Sequence, residues 1–504
     1  MWGLVVVSLL AALVVHYIVR DFLHFQQKYF PPGPKPLPVL GNLLDLPRDA
    51  PWKTYASWTR KYGNIIHFRV LRSSVIVINS YAVAHDLLEG RSAIYSSRPW
   101  VPMAGDVIGW NWSLPLVPYG ETFKRHRKYV QTYFSKSRLS RFQHFQRKEA
   151  FRLLNDVLDT PQDYRSHIAR MSGAIVMAIV YGHDARNHDD WLLNVASRGS
   201  KTIESAGAVG AHIVDLIPIL RYIPDWVPGA GFKRLPPGTS EALYDMRHVP
   251  YKYVKDKMAS GTATECYVTE LLEITKGTDE EGVMDTAANN YSAGFDTTLA
   301  VLMSAVLALT VNPVIQARLQ AELDTVVGRD RLPDFTDWDD LPYVKCVISE
   351  AIRWGAVTPV GVPHTIIQDD VYNGMFIPEG ATIIANAWAM LHDPDMYPEP
   401  QLFNPDRFLT GEGRTPPLDP RGPLFGFGRR QCPGKDLAEA TIFIALTSLF
   451  HVFKFSPAKD TEGNPMPIDT NHMEHSVRHV KPFACDIKRR WLQAESLVRN
   501  HQEL

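Results

Sequence analysis

Cysteine is scarce in this chain, which has 504 residues but only four cysteines, none of them in a C-x-x-C pair. Zinc and iron–sulfur sites are therefore not expected, because they are usually built from closely spaced cysteines. So few and so widely separated cysteines also do not indicate a disulfide framework, which fits a reducing, cytosol-facing location. The formal net charge of −1 argues against a general nucleic-acid binder, which would be basic.

Formal charge is absent from residues 2–19, which read WGLVVVSLLAALVVHYIV. Such a run is about as long as a helix that spans a bilayer. No lysine or arginine precedes it, whereas Arg20 and Lys28 follow, so the positive-inside rule places the downstream chain in the cytosol. A cleaved signal peptide is the alternative, but its charged start and small-residue cleavage site are not clear here. We therefore expect a single-pass transmembrane anchor at residues 1–20.

Proline is concentrated just after this run, where residues 31–38 read PPGPKPLP. Such a segment cannot be helical, and we expect a stiff, extended linker over residues 21–44. A proline-rich ligand for another protein is the alternative. In contrast, proline is absent from residues 283–311, which are rich in apolar side chains and predict a long buried helix.

Two short apolar runs, residues 65–70 and 75–78, predict the strands of a hairpin. After the long helix, Asn312-Pro313 predicts the start of a second helix that ends near Gly328. Residues 213–237 are expected to be irregular. Their aromatic side chains could enter a membrane surface, although a simple surface loop explains them equally well.

One cysteine stands in an unusual setting, since residues 425–434 read FGFGRRQCPG and an apolar-faced helical stretch follows. A thiolate at a helix N-terminus gains from the dipole and from unpaired N–H groups, so Cys432 is expected to ionise easily. Thiolates are among the few protein ligands that hold haem iron axially. Gly426 and Gly428 would let the backbone pass close to a flat macrocycle, and Arg430 would meet a carboxylate at its rim.

This segment resembles the haem-binding loop of the cytochrome P-450 superfamily, whose pattern is Phe-x-x-Gly-x-Arg-x-Cys-x-Gly. All five fixed positions are filled, by Phe425, Gly428, Arg430, Cys432 and Gly434. Among members of the superfamily, the sequence is most similar to those of fungal microsomal proteins that act in secondary metabolism. The resemblance implies a mainly α fold with small β-sheets, a single large catalytic domain at residues 45–504, and haem b held through Cys432.

A second motif lies inside the long helix, where residues 293–298 read AGFDTT. Asp296 and Thr297 match the superfamily's acid–threonine pair, which lies over the distal face of the haem and delivers protons. A carboxylate and an alcohol near the iron are suitable groups for this, because oxygen activation consumes two protons. The resemblance therefore implies that Asp296 and Thr297 are catalytic.

A third motif is the superfamily's Glu-x-x-Arg, present as Glu350 and Arg353 on one face of a predicted helix. Farther on, residues 403–408 read FNPDRF and resemble the Pro-x-Arg-Phe element, which contributes Arg407. The resemblance implies a buried network of Glu350, Arg353 and Arg407 beneath the cysteine loop, with a structural role.

Haem propionates require cationic partners, and the resemblance nominates Arg98, Arg127, His364 and Arg430. Arg127 belongs to a segment similar to the superfamily's Trp-x-x-x-Arg helix. The chain departs from the pattern there, because Phe123 replaces the tryptophan. The indole N–H contact to a propionate would be lost, whereas Arg127 could still pair. For His364, a plain surface position is the alternative.

Acidic residues are absent from residues 124–148, which contain nine lysines and arginines. We call this stretch the basic segment. Nucleic acid is one candidate partner. A flavoprotein reductase with an acidic docking face is the better one, because the resemblance places this helix on the cysteine side of the haem. A merely solvated helix face is the third interpretation.

Substrate contacts are implied for residues 99–117, the helix near Ala293, residues 358–362 and a turn at His475-Ser476. These segments are mainly apolar, which indicates a lipophilic small-molecule substrate. The resemblance then implies a monooxygenase that takes electrons from NADPH through a partner reductase at the endoplasmic reticulum membrane. A terpenoid is the first hypothesis for the substrate.

Two other functions remain open at this point. A haem-thiolate isomerase or dehydratase would rearrange peroxides without a reductase, but such relatives tend to lack the acid–threonine pair. A non-catalytic haem-binding membrane protein would need neither a distal proton relay nor a basic helix that faces a reductase. Asp296 and Thr297 therefore favour the monooxygenase.

Overall fold

The computed structural model describes residues 28–47, 49–206, 212–411, 413 and 415–501. The anchor expected at residues 1–20 and the first part of the expected linker lie outside these residues. Within the described part, one helix, Glu280–Val311, is long and apolar enough to cross a membrane. Because 72% of its most apolar window is buried inside the protein, this is a core helix.

The described residues form a mainly helical fold. The longer helices are α1 (Pro51–Tyr62), α2 (Glu121–Tyr133), α3 (Gln143–Asp159), α4 (Tyr164–Tyr181), α5 (Trp191–Lys201), α6 (Thr239–Ala259), α7 (Tyr267–Thr275), α8 (Glu280–Val311), α9 (Pro313–Val326), α10 (Pro342–Gly355) and α11 (Lys435–Val452). Short helices span Tyr81–Ala84, Ser92–Tyr95, Ile213–Leu216, Ala387–Leu391, Arg421–Phe425 and Ala494–Arg499.

The centre of the fold is α8, which packs against α4, α10 and α11. The long helix expected at residues 283–311 is confirmed, and it begins three residues earlier, where the Asp279 side chain accepts a hydrogen bond from the Gly282 N–H. It ends where Asn312 leaves the helical conformation and Pro313 opens α9. Residues 298–310 of α8 and the second half of α11 are buried, as expected for helix segments that are apolar on every face.

The largest sheet has four strands in the order β1-β2-β6-β3. The expected hairpin is confirmed as β1 (Ile65–Val70) and β2 (Ser73–Ile78), which pair antiparallel. The remaining strands are β3 (His364–Thr365), β4 (Asp370–Tyr372), β5 (Met375–Ile377), β6 (Thr382–Ala385), β7 (Phe453–Pro457) and β8 (Cys485–Arg489). Parallel pairing of β2 with β6 brings residues about 300 positions apart into one sheet, and β3 places His364 at its edge.

The proline-rich segment is extended, as expected, but it lies against β1 and is not a free spacer. The Pro32 carbonyl accepts the His67 N–H at 3.0 Å, and the Asn42 N–H donates to the Arg69 carbonyl at 2.5 Å. A side chain at Gly33 would collide with the His67 carbonyl. The described part of the expected linker therefore belongs to the folded domain.

Residues 213–237 are largely irregular, as expected, apart from the one-turn helix Ile213–Leu216 and short 3-10 turns at Pro218–Tyr222 and Ala230–Lys233. Large apolar side chains in this region are exposed, and Trp226 is 81% exposed. Ile219 and Tyr222 are also largely exposed. This region of the domain therefore exposes apolar side chains at its surface.

Candidate active site

The cysteine loop connects the short helix Arg421–Phe425 to α11, and the Cys432 N–H donates to the Phe425 carbonyl at 2.8 Å. Gly428 has a φ of +53°, and a Cβ there would lie 2.4 Å from the Leu88 carbonyl. A close approach of protein backbone therefore requires this glycine. A Cβ on Gly434 would meet no atom within 4 Å, which leaves room beside Cys432 for a flat ligand.

Cys432 lies three residues before α11 and is half-buried. Burial raises the pKa of its thiol, although the Gly434 N–H and the positive charges of Arg127 and Lys435 act to lower it. The expectation that the thiol ionises easily is therefore wrong for the protein by itself. The Gly434 N–H and Lys435 belong to the expected helix start and Arg127 to α2, but desolvation outweighs all three.

Three arginines and a histidine meet beside this loop, and the structure brings together all four residues nominated from the sequence. Arg98 donates to the Pro115, Val362 and Pro363 carbonyls at 2.6–2.9 Å. Arg430 donates to the Ser96, Leu114 and Val117 carbonyls at 2.7–3.2 Å. Arg127 donates to the Gln431 carbonyl, and His364 Nδ1 lies 2.8 Å from the Tyr95 carbonyl.

The charges of this cluster repel one another. Burial and the nearby Arg430 lower the pKa of Arg98 well below its usual value. Burial and Arg127 lower the pKa of Arg430 to about 9. Burial and Arg98 likewise lower the pKa of His364 far below that of an exposed histidine, which excludes the surface alternative.

This arrangement fits a haem. Among the described residues, no carboxylate forms an ion pair with Arg98, Arg127 or Arg430, so the cluster has an unmatched positive charge. Buried charges are normally paired, and the two propionates of haem b would supply the missing anions. The cluster adjoins Cys432, because Arg127 contacts the carbonyl of the preceding Gln431 and Arg430 belongs to the same loop.

Phe123, which replaces the family's tryptophan, is buried in α2. The Arg430 guanidinium carbon lies 3.6 Å from the centre of its ring, a close cation–π contact. Phe123 therefore supports Arg430 from beneath, although it cannot donate a hydrogen bond to a propionate. Sequence reasoning identified the missing N–H but not this contact.

In α8 the stretch of residues 292–297 is partly accessible, whereas the residues on both sides are mostly buried. The Thr297 hydroxyl donates to the Ala293 carbonyl at 2.8 Å. Gly294 lies where Val176 of α4 packs, and an added Cβ would be 3.3 Å from that side chain. Helix packing therefore gives a reason for the mid-helix glycine. The acid–threonine pair occupies the one accessible stretch in the middle of the described core helix.

The carboxylate of Asp296 is paired with His479, whose Nε2 lies 3.1 Å and 3.2 Å from the two carboxylate oxygens. Sequence reasoning missed His479, because 183 residues separate the two positions and no motif marks the histidine. The nearest indication was the expected substrate contact at His475-Ser476, a few residues earlier in the same loop.

Glu350, Arg353 and Arg407 form the buried network expected from the sequence. Arg353 donates to both Glu350 oxygens at 2.7 Å, and Arg407 Nε donates to Glu350 Oε1 at 3.2 Å. The Glu350 and Arg353 side chains are fully buried. Arg353 also donates to the Leu391, Pro400 and Leu402 carbonyls, so the network fixes the segment that precedes the cysteine loop.

The basic segment carries less unpaired charge than its sequence suggests. Six of its basic side chains pair with acids elsewhere in the chain or at its own border: Lys124, Arg125, Arg138, Arg141, Arg147 and Lys148. For Lys128 and Lys136 the described residues offer no acidic partner. An acidic docking partner would therefore meet a smaller positive surface than expected.

Residues 99–117, expected to contact substrate, are fixed to the region around residue 215 and to the 3-10 turn that follows α5. The Met103 N–H donates to Asp215 Oδ1 at 2.9 Å, and Asp106 pairs with Arg221 at 2.5 Å. Trp110 Nε1 donates to the Thr202 hydroxyl at 2.9 Å. These contacts hold an apolar wall that includes the buried Met103.

A mainly helical fold with a cysteine loop before a buried helix defines a haem-thiolate protein, and comparisons with known proteins agree. Residues 31–484 match the family model described as Cytochrome P-450. The chain belongs to the cytochrome P-450 family, whose members hold haem b and receive electrons from a reductase partner, typically from NADPH.

Similar proteins come from fungi. The chain is 36% identical to cytochrome P-450 monooxygenase 208 of Postia placenta over 93% of this chain and 92% of that protein. It is 37% identical to cytochrome P-450 monooxygenase claR of Ampulloclitocybe clavipes over 96% and 89%, respectively. It is 34% identical to tryptamine 4-monooxygenase of Psilocybe cyanescens over 95% and 96%. The chain is therefore a cytochrome P-450 monooxygenase of fungal type.

Proposed function

We propose that this enzyme inserts one oxygen atom from dioxygen into a lipophilic small molecule, with electrons from NADPH through a partner reductase. Cys432 would hold the haem iron through its thiolate, and Arg98, Arg127, His364 and Arg430 would hold the propionates. The carrying observation is the buried arginine cluster that adjoins the cysteine loop and has no acidic partner among the described residues. When bound, haem supplies the iron at which dioxygen is activated.

Asp296 and Thr297 serve the proton relay in this proposal. Since the Thr297 hydroxyl proton is committed to the Ala293 carbonyl, its oxygen can only accept, so it holds a water or another donor in the accessible stretch. The carboxylate of Asp296, which is partly exposed, exchanges protons with solvent. An isomerase or dehydratase would not require this pair, and a non-catalytic haem protein would require neither group.

Replacement of Thr297 by alanine should uncouple electron flow from product formation. Haem and substrate binding should persist, and NADPH should still be consumed, but hydrogen peroxide should be released. Product per NADPH should fall by about tenfold or more, because general acid–base groups contribute about 10²–10⁴ and water substitutes in part. The ratio of product to NADPH and the peroxide yield are the measurements.

The matched control is Thr310→Ala, since Thr310 makes the same bond to the Val306 carbonyl, at 2.7 Å, elsewhere in α8. This variant should keep the wild-type ratio. An unchanged ratio in Thr297→Ala would show that Thr297 is only a helix residue.

The substrate is proposed to be neutral and lipophilic, with a terpenoid of secondary metabolism as the first candidate. An ammonium-bearing substrate, such as that in the name of the Psilocybe relative, would need a carboxylate partner. The one acid in residues 99–117, Asp106, is paired with Arg221, and Asp296 is paired with His479.

The test is co-expression with a fungal reductase and feeding of sesquiterpenes, diterpenes, aromatic precursors and tryptamine under ¹⁸O₂. We expect a terpenoid product that contains one labelled oxygen atom and forms only with the reductase. Conversion of tryptamine alone would contradict the neutral substrate, and turnover without reductase would contradict the monooxygenase cycle.

We further propose that residues 1–20 anchor the enzyme in the endoplasmic reticulum membrane with the catalytic domain in the cytosol. The apolar surface at Ile219, Tyr222 and Trp226 supports a second contact with the same membrane, because exposed aromatic and aliphatic side chains enter the interface favourably.

The reductase is proposed to dock on the basic segment. Lys128 and Lys136 are the charges of that segment that have no acidic partner among the described residues and can therefore attract an acidic docking face.

Removal of residues 1–28 should weaken membrane association and leave haem incorporation intact, since the anchor precedes the folded domain. Flotation with microsomal vesicles and the haem content of the soluble fraction are the measurements. Replacement of Trp226 by serine in the truncated protein should reduce the residual binding further. A truncated protein that takes up no haem would show that the removed segment is part of the fold.

A further inference from the structure

The relay acid has one ionic partner in the described structure, and that partner lies on a different segment of the chain. His479 Nε2 contacts both oxygens of the Asp296 carboxylate, at 3.1 Å and 3.2 Å. The side chain of His479 is 15% exposed and that of Asp296 is 31% exposed. Among the described residues, no lysine or arginine is within ion-pair distance of Asp296. The orientation of the carboxylate therefore depends on the histidine.

The loop that carries His479 is fixed on both sides of it. The preceding Arg478 donates its backbone N–H to the Val357 carbonyl at 2.8 Å and its guanidinium to the Gly355 carbonyl at 2.7 Å. The following Val480 is completely buried. In addition, the His479 carbonyl accepts the Met473 N–H at 2.7 Å. The backbone on both sides of His479 is thus held by the rest of the protein, whereas Asp296 is on the accessible stretch of α8.

The fixed backbone of His479 matters because Thr297 and Asp296 have different roles in the proposed proton relay. The Thr297 hydroxyl donates its hydrogen bond to the Ala293 carbonyl, so its oxygen can only accept a further hydrogen bond. The protons must then come by way of Asp296. A carboxylate that is free to change rotamer would present its oxygens to the accessible stretch for only part of the time, and misplacement of a catalytic group by about 1 Å can cost about a hundredfold in rate.

We propose that His479 is a positioning residue of the proton relay, which holds the Asp296 carboxylate toward the accessible stretch of α8. The inference rests on the proposed function, because it assigns His479 a role through Asp296. It also links the C-terminal loop, which carries the expected substrate contact at His475-Ser476, to oxygen activation. Placement of substrate and delivery of protons then share one rigid segment.

A first experiment tests the pair without turnover. Hydrogen exchange of residues 470–481 is measured by mass spectrometry in the haem-containing full chain and in its Asp296→Asn and His479→Phe variants. Both variants should keep the wild-type exchange in this loop, because the contacts of Arg478 and the burial of Val480 hold it independently of the pair. Exchange that rises several-fold in His479→Phe would show that the histidine supports the loop itself and would overturn the positioning role.

A second experiment measures product per NADPH with the panel terpenoid that the wild-type enzyme converts. His479→Phe should lower the ratio by at least about threefold, the low end for a relay in which water substitutes. His479→Gln, which keeps a donor at the Nε2 position, should recover at least half of the loss. His248→Gln, on the surface of α6, is the matched control and should retain the wild-type ratio.

The double variant distinguishes positioning from general damage to the loop. If His479 acts through Asp296, His479→Phe should lower the ratio no further in an Asp296→Asn background. A further drop by the same factor as in the wild type would overturn the role of His479. A wild-type ratio in Asp296→Asn would instead overturn the relay itself, whereas a lowered ratio there with a wild-type ratio in His479→Phe would overturn only the positioning role.

Discussion

Replacement of Cys432 by histidine should abolish the red-shifted Soret band of the reduced carbonyl complex, even in protein that retains haem. That band depends on an axial thiolate, which pushes electron density onto the iron in a way that imidazole does not. Monooxygenase product should fall below detection for the same reason. The measurement is the reduced carbonyl difference spectrum of the purified variant, together with its haem content.

Cys485→Ser is the matched control, because Cys485 is also half-buried but lies in β8. This variant should keep the thiolate spectrum. A normal thiolate spectrum from Cys432→Ala would show that another residue is the ligand. Cys266 and Cys346, both buried, would then be examined in the same way.

The second large effect is expected at Glu350, whose replacement by glutamine should destabilise the protein by about 3–5 kcal/mol. Glutamine has nearly the same shape, but it leaves the guanidinium groups of Arg353 and Arg407 without a counter-charge, and a broken buried ion pair typically costs about this much. Because Glu350 and Arg353 are fully buried, solvent screens little of this loss. Urea-induced unfolding of the haem-containing protein is the measurement.

A surface ion pair provides the comparison for this prediction. Lys252 and Asp256 pair at 2.6 Å across one turn of α6, and their side chains are 74% and 64% exposed. Asp256→Asn should cost only about 0.2–0.5 kcal/mol. Similar midpoints for Glu350→Gln and Asp256→Asn would contradict the structural role of the buried network.

The fold class and the family were predictable from the sequence because their signals are local. The cysteine loop, the Glu-x-x-Arg pair and the acid–threonine pair each lie within ten consecutive residues, and the limits of α8 follow from an apolar run that ends at Asn312-Pro313. The pKa of Cys432 was not predictable in this way. The Gly434 N–H and Lys435 are neighbours in the sequence, whereas burial and the charge of Arg127 depend on the packed surroundings.

The ion pairs of the basic segment were not predictable from the sequence either. The basic segment contains no acid of its own, so its sequence indicated an exposed positive surface. In the structure Asp279, Glu270, Asp334 and Asp184 neutralise much of it, from positions between 36 and 187 residues away. Distances of this kind are set by helix packing and leave no pattern in the chain.

The sequence by itself determined the family and its haem cofactor and predicted the site residues, since each of these inferences depends on residue types at short, fixed spacing. Tertiary structure decided the partners of those residues. It placed His479 on Asp296 and Phe123 beneath Arg430. It also left Arg98 and Arg430 without an acidic partner in the part of the chain that the structure describes. The physical reason is that desolvation and ion pairing depend on separation in space, and the fold brings together residues that the chain keeps hundreds of positions apart.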